Sequence, residues 1–369
     1  MRGPFRSTVE GVAIGAAAAG AMAVVAVLGV AMLVPGAGTG ARVRAGAAVV
    51  ALAVGAPVDL TVSGTAVPGS ERLPVRGGLP VTLDGTVDVM PLGVTLTGVA
   101  VLVLLFVWRR RTLPGLIAAF LAFVVGIWIL AWLGRGGPVD VERVASDGIG
   151  VAFRAGVGSA VSGAALLAGL ALGGFLLPAV WRRPIAAVAV VFGGVALLGT
   201  VVGLVLGAVH GGTRVAGAAL LAGADVLGLL PWSLGVPWSL DVDGPIAYAL
   251  RDRIDDPLGG GTVRWRSAFI VMFATGVILM RILTPERGWP GAARLGVALA
   301  AGSAAVTAAT AATATATATV FVIQLPAAGI ALRGNVFVAV LVGAAVGTLA
   351  GLVPVPPRVR THGVPPRRR

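Results

Sequence analysis

The stretch PWSLGVPWSL, Pro231–Leu240, decides how this chain is laid out. It repeats Pro-Trp-Ser-Leu across a Gly-Val pair, at the end of an apolar run that begins at Val215 and contains Asp225. If that run crossed a bilayer, every later loop would change sides. A helix from Val215 to Leu230 would rise only about 24 Å at about 1.5 Å per residue, and Pro231 would then break it. Asp225, near its middle, would cost about 2.5–3.5 kcal/mol if it faced lipid. The segment 215–238 therefore reads as a re-entrant or interfacial element, of the kind tolerated where it is buried against helices or lines a cavity.

The bilayer itself is implied by composition. Of 369 residues, 57% are hydrophobic and 12% charged, with 56 glycines and no cysteine. A soluble domain carries about twice that charged share. Several apolar runs reach the roughly 20 residues that a helix needs to cross the hydrocarbon layer. All 28 basic residues are arginine, which together with the alanine, glycine and valine content reads as a GC-rich genome. The lack of cysteine excludes disulfides and thiolate chemistry. His210 and His362 lie far apart in sequence, so neither a metal site nor a cofactor is expected.

Outward from Pro231, the chain divides into an all-α bundle of about eight spans. These are 9–34, 92–108, 113–133, 157–181, 185–209, 267–283, 295–323 and 335–353, followed by a basic tail, 357–369. The first has an apolar core too long for a signal peptide and is read as retained. Ala45–Ala56 is too short to span. VDLTV (58–62) and LPVTLDGTVDV (79–89) alternate apolar and polar residues between turn formers, which predicts a small hairpin-like β element outside the bilayer. The run TAATAATATATATV (307–320) lies within the span 295–323; its threonines alternate and lack the 3.6-residue period of a pore-lining stripe.

Charge sets the orientation. With the amino terminus inside and 215–238 not crossing, the inside set holds 15 arginines against Glu10 and Glu286. The other 13 arginines face 13 acids, so the net charge of +13 sits on one face. That is the positive-inside pattern, and it places the protein in the plasma membrane as a multi-pass chain. Lipid explains the charge; nucleic acid is not needed as a partner.

Two glycine triplets, Gly199-Gly203-Gly207 and Gly343-Gly347-Gly351, recur every four residues. Each forms a helix face on which backbones approach closely, within the chain, in a homo-oligomer or against another membrane protein. Asp225 is the one acid deep in an apolar run, and Trp232 and Trp238 lie close behind it. These three are the candidate solute or ion site; the alternative is an acid satisfied at a bend, with tryptophans anchoring the interface. The loop after Trp238 is rich in Asp and Arg and reads as a solvated, salt-bridged surface. No nucleophile elbow, phosphate loop or HExxH is present, so no enzyme is expected.

VDVMPLGVTLTG (87–98), RVAGAALLAG (214–223) and the VPW…DG arrangement at 236–244 resemble the streptophobe family, multi-span membrane proteins of actinobacteria. The resemblance implies an actinobacterial plasma-membrane location and this order of spans. It implies no activity, and Ala222–Leu230 departs from the family pattern, so no role passes to Asp225. The expected function is a non-enzymatic one in the cell envelope. A permease for a small solute or ion, using Asp225 and the break at Pro231, is the alternative. No counterpart of PWSLGVPWSL is recognised in the first half, which argues against a transporter built from repeats.

Overall fold

Long runs of Ala, Val, Leu and Gly make the helices, and glycines, prolines and alternating residues stand where several of them end. The computed structural model describes residues 4–64, 81–109, 112–135, 139–140, 150–243, 262–284, 288–320 and 323–353. The basic tail and most of the acidic loop after Asp243 lie outside the described residues.

The helices are α1 (Pro4–Leu33), α2 (Thr39–Ala53), α3 (Leu92–Trp108), α4 (Leu113–Leu133), α5 (Val157–Gly173), α6 (Ala179–Leu206), α7 (Gly212–Ala222), α8 (Leu229–Ser233), α9 (Thr262–Leu283), α10 (Trp289–Ala309) and α11 (Val336–Leu352). The strands are β1 (Val58–Gly64), β2 (Val81–Val89), β3 (Val139–Asp140), β4 (Gly150–Ala155), β5 (Trp238–Asp243), β6 (Ala312–Val320) and β7 (Ile323–Gly334). They form one antiparallel sheet in the order β3-β4-β1-β2-β6-β7-β5.

The bundle's outer surface is apolar. Trp132, Leu170 and Phe337 are 62%, 70% and 70% exposed. Five helical stretches are long and apolar enough to cross a membrane: Phe5–Leu33, Leu113–Leu133, Ala179–His210, Gly212–Ser233 and Trp289–Ala309. Shorter apolar helices cover Leu92–Trp108, Val157–Gly173, Phe273–Leu283 and Val336–Leu352. This surface is what a membrane protein presents to lipid.

Helix directions follow from the small residues at their contacts. Gly11 and Gly15 of α1 pack on Gly115 and Ala119 of α4, so the two run parallel. Gly98 of α3 packs on Met22, and Arg109 pairs with Glu10, so α3 runs opposite to α1. Gly343, Gly347 and Gly351 of α11 meet the backbone of α10 at Ala300, Gly296 and Ala292. Gly203 and Gly207 meet Ala219 and Ala216 of α7. Both glycine triplets are therefore filled by the chain's own helices.

Six strands start or stop where a helix ends, and these junctions are in register: Val58 opposite Val87 and Ala155, Ala312 opposite Val89 and Leu332, Trp238 opposite Gly334. The sheet thus stands on one end of the bundle. It is far larger than the hairpin-like element expected from sequence, which amends the all-α reading to helices plus an antiparallel sheet. The largest departure is at 295–323. The helix stops at Ala309, and the threonine-alanine run forms β6. The reason is local. Thr is β-branched and stiff at χ1, and strict alternation places every Thr of 313–319 on one face of a strand.

The opening stretch carries the second departure. A 3-10 turn (Gly223–Gly228) and α8 precede a reversal at Gly235, where φ is +90°. There the Gly235 N–H donates to the Trp232 carbonyl and the Val236 N–H to Pro231, a Schellman cap. Pro231 itself sits inside α8, so the glycine makes the turn. The same cap ends α2: Gly55 has φ +80°, its N–H donates to Leu52, and the Ala56 N–H donates to Ala51. Each cap is followed by a proline and a strand, GAPVDLTV (55–62) and GVPWSLDV (235–242), which share Gly, Pro, Leu and Val in the same places. The prolines correspond as well: Gly156 N–H donates to Pro57 at 3.2 Å, and Asn335 N–H to Pro237 at 3.0 Å.

The correspondence extends through both halves. Leu60 lies opposite Phe153 on β4, and Leu240 opposite Leu332 on β7. Helices α4 and α10 both have 21 residues with proline in their first turn, and α5 and α11 both have 17. The chain is built as two tandem halves, which overturns the expectation that PWSLGVPWSL has no counterpart. The counterpart is GAPVDLTV with the turn before it. The halves meet where β2 pairs with β6.

Candidate functional site

Side chains directly opposite one another in an antiparallel pair share a face. On one face of this sheet lie Leu60, Val87, Phe153, Ala314 and Ala316, half-buried toward α2 and the bundle. On the other lie Asp59 and Thr61 of β1, Asp84, Thr86 and Asp88 of β2, Arg154 of β4, Thr313, Thr315 and Thr317 of β6, and Asp241 and Asp243 of β5. A one-sided sheet arises because the apolar set must cover the helix ends and the polar set must meet water.

The polar face is hollowed over β4-β1-β2-β6 into a cleft of about 930 Å³. Its walls include Asp59, Thr61, Asp84, Thr86, Arg135, Arg154, Thr315 and Thr317. Arg135 reaches it from the end of α4, where its Nε donates to the Ala155 carbonyl at 3.4 Å. Thr86 Oγ1 donates to Asp59 Oδ1 at 3.1 Å, and Thr317 Oγ1 to the Asp84 carbonyl at 3.2 Å. Neither Arg135 nor Arg154 is in an ion pair among the described residues. The cleft draws on both halves of the chain, with the two β6 threonines supplied by the second.

The site expected from sequence is dispersed. Asp225 is half-buried in the 3-10 turn, and its Oδ1 accepts from the Leu92 N–H at 3.1 Å. Pro91, at the N-cap of α3, has no side-chain acceptor, so a carboxylate from the other half supplies the cap and meets the positive end of the helix dipole. Trp238 opens β5, with its indole against Gly334 of β7, and Trp232 lies half-buried in α8. Among the described residues, no group of three His, Asp or Glu could hold a metal ion. The cleft residues went unrecognised as a site. Their signal was present in the alternation at 58–62 and 79–89 and in the matching alternation at 313–319, which would have paired the three segments had the last been read as a strand.

Fold and site define a class: a mostly helical chain, compatible with a membrane protein, that carries a polar-faced antiparallel sheet on one end of its bundle. Compared with protein-family models, with curated proteins and with solved structures, the chain matches none of them.

Proposed function

We propose that this is a multi-pass plasma-membrane protein with eight crossings, both termini inside, and the sheet held on the outer face in a non-enzymatic envelope role. The observation that carries the reading is the common register of the strand–helix junctions. In this arrangement α1, α4, α6 and α10 run outward, and α3, α5, α9 and α11 run back. Gly212–Ser233 is long and apolar enough to cross, but it packs between the last turns of α1 and α6, where Gly217 meets Gly29 and Gly207 meets Ala216. From there it returns to β5 in the sheet. It enters and leaves on one side. The positive-inside arrangement of arginines agrees with this orientation. Membership in the streptophobe family is part of the proposal and rests on the three stretches at 87–98, 214–223 and 236–244.

Topology reporters test it. A reporter that fluoresces only in the cytoplasm is expected to be active after Arg369, and one that works only outside is expected to be active between residues 244 and 261. Exchanged signals, with the tail outside and the 244–261 loop inside, would make 212–233 a crossing and sink the reading, as would signals from the same side at both places.

A second reading, a permease, is favoured by the two tandem halves, because many secondary transporters are built from repeats with the site between them. Asp225 belongs to the second half and caps a helix of the first. Asp225→Asn keeps an acceptor for the Leu92 N–H, so stability should change by less than about 1 kcal/mol. If the protein transports, proteoliposome uptake should fall to background in this variant. Unchanged uptake would leave Asp225 a purely structural cap.

A further inference from the structure

We propose that the cleft on the polar face of the sheet binds a hydroxyl-rich anion about two sugar or polyol units long, with its carboxylate or phosphate on the arginine wall. The inference deepens the envelope role above, since an outer face is where such polymers occur.

Three features of the cleft select this chemistry. First, Arg135 and Arg154 stand together on one wall without ion pairs among the described residues, even though Asp59 lies directly opposite Arg154 on the neighbouring strand. Guanidinium forks match planar or tetrahedral oxyanions and bind them through two parallel N–H donors. Asp59 is already engaged by the Thr86 hydroxyl. Second, the opposite wall is Asp84, Thr315 and Thr317. Threonine hydroxyls both donate and accept, as sugar hydroxyls do, and a carboxylate accepts from two neighbouring hydroxyls. A lone ammonium would need the carboxylate and leave the threonines unused. Third, Arg154 on β4 and the threonines on β6 are three strand spacings apart, or roughly 14 Å, with Asp84 on β2 between them. A single small anion cannot touch both walls; a two-unit segment can. The volume of about 930 Å³ falls within the range of ligand sites, roughly 300–1,000 Å³.

The location adds to the case. The cleft straddles the β2–β6 seam, where the two halves join. Polar groups converge there from both halves on one sheet. Arg154 is exposed on that face, so replacing it does not disturb the core.

The test uses the purified full chain in nanodiscs, with digalacturonate, a glycerol-phosphate dimer, neutral maltose and inorganic phosphate as separate probes in titration calorimetry. At least one of the two acidic probes is expected to bind saturably, with maltose and inorganic phosphate at least tenfold weaker. Arg154→Gln is expected to weaken binding at least tenfold, and Thr315→Val with Thr317→Val several-fold, each at an unchanged melting temperature and circular-dichroism spectrum. Binding of digalacturonate alone assigns an acidic polysaccharide as the source, and binding of the phosphate dimer alone a polyol-phosphate polymer. The proposal is overturned if neither acidic probe binds, if maltose binds as well as they do, or if Arg154→Gln leaves the affinity unchanged. If Arg154→Gln lowers the melting temperature, Asp84→Asn takes its place, with the same tenfold criterion. Nanodiscs leave both faces open, so an inverted orientation would not abolish binding, and absent binding would not alter the reporter result.

Discussion

Gly347→Leu is expected to destabilise the protein by about 3 kcal/mol or more, enough to remove the monodisperse peak when the protein is heated in detergent. A Cβ at Gly347 would lie 2.8 Å from the Gly296 Cα and 2.8 Å from the Leu295 carbonyl oxygen. Both obstacles are backbone, so no rotamer change relieves them. The same seam continues at Gly343, whose Cβ would lie 2.9 Å from the Ala300 Cα. Helices in lipid are held together by close packing, because lipid tails are as apolar as leucine. Moving α10 from α11 by the width of a side chain therefore loses the attraction with no compensating burial. Gly20→Leu is the control. Nothing lies within 4 Å of a Cβ there, and the position opens onto the apolar groove between α1 and α4. It should melt with the wild type. Equal stability of the two variants would show that α10 and α11 do not pack through this face.

The glycine triplets illustrate what sequence does convey. A four-residue spacing of glycine on a helix face requires a close neighbour, and the neighbour's identity is the only thing left open. Chain connectivity supplied it: α6 with α7, and α11 with α10. Most of the apolar runs were legible for a similar reason, since length and the absence of charge mark a helix; 295–323 is the exception.

The sheet was only half legible. In VDLTV and VTLDGTVDV the polar positions are Asp and Thr, and the contrast with Val and Leu makes the period of two plain. In the threonine-alanine run the contrast is weak. Alanine is the best helix former, and the run is embedded in apolar sequence, so helix propensity and hydrophobic length agreed on the wrong answer. Tertiary pairing decides it: β6 lies between β2 and β7 and pairs antiparallel with both. The tandem halves were hidden by similar dilution. Four shared residues in eight are not distinctive where Gly, Val and Leu are common, but the two Schellman caps and the two proline carbonyls become unmistakable once the backbone is seen. Asp225 was legible as an exception, although its partner Leu92 lies 133 residues away.

Oxidation of the double variant Thr86→Cys/Thr315→Cys is expected to give near-complete intramolecular disulfide. The two residues are directly opposite on β2 and β6. Opposed residues in antiparallel strands have Cα atoms roughly 4.5–5.5 Å apart, within the roughly 4.4–6.8 Å that a disulfide bridges. The chain has no cysteine of its own, so no other thiol competes. A maleimide polymer added after oxidation should label neither residue, and reduction should restore labelling of both. Pairing Thr86→Cys with Ala316→Cys shifts one position by a single residue and turns its side chain to the other face. That variant should form no intramolecular disulfide, and both of its thiols should be labelled when the oxidised protein is denatured before the maleimide is added. The experiment joins strands from the two halves across their seam, and it separates the two readings of the threonine-alanine run. A helix continuing from Ala309 to residue 323 would turn successive side chains by about 100° and take residues 312–320 out of the ladder with β2. It could not bring Thr315 beside Thr86 while excluding Ala316. Free thiols at both positions after oxidation would return the run to a membrane helix and remove the second-half wall from the cleft.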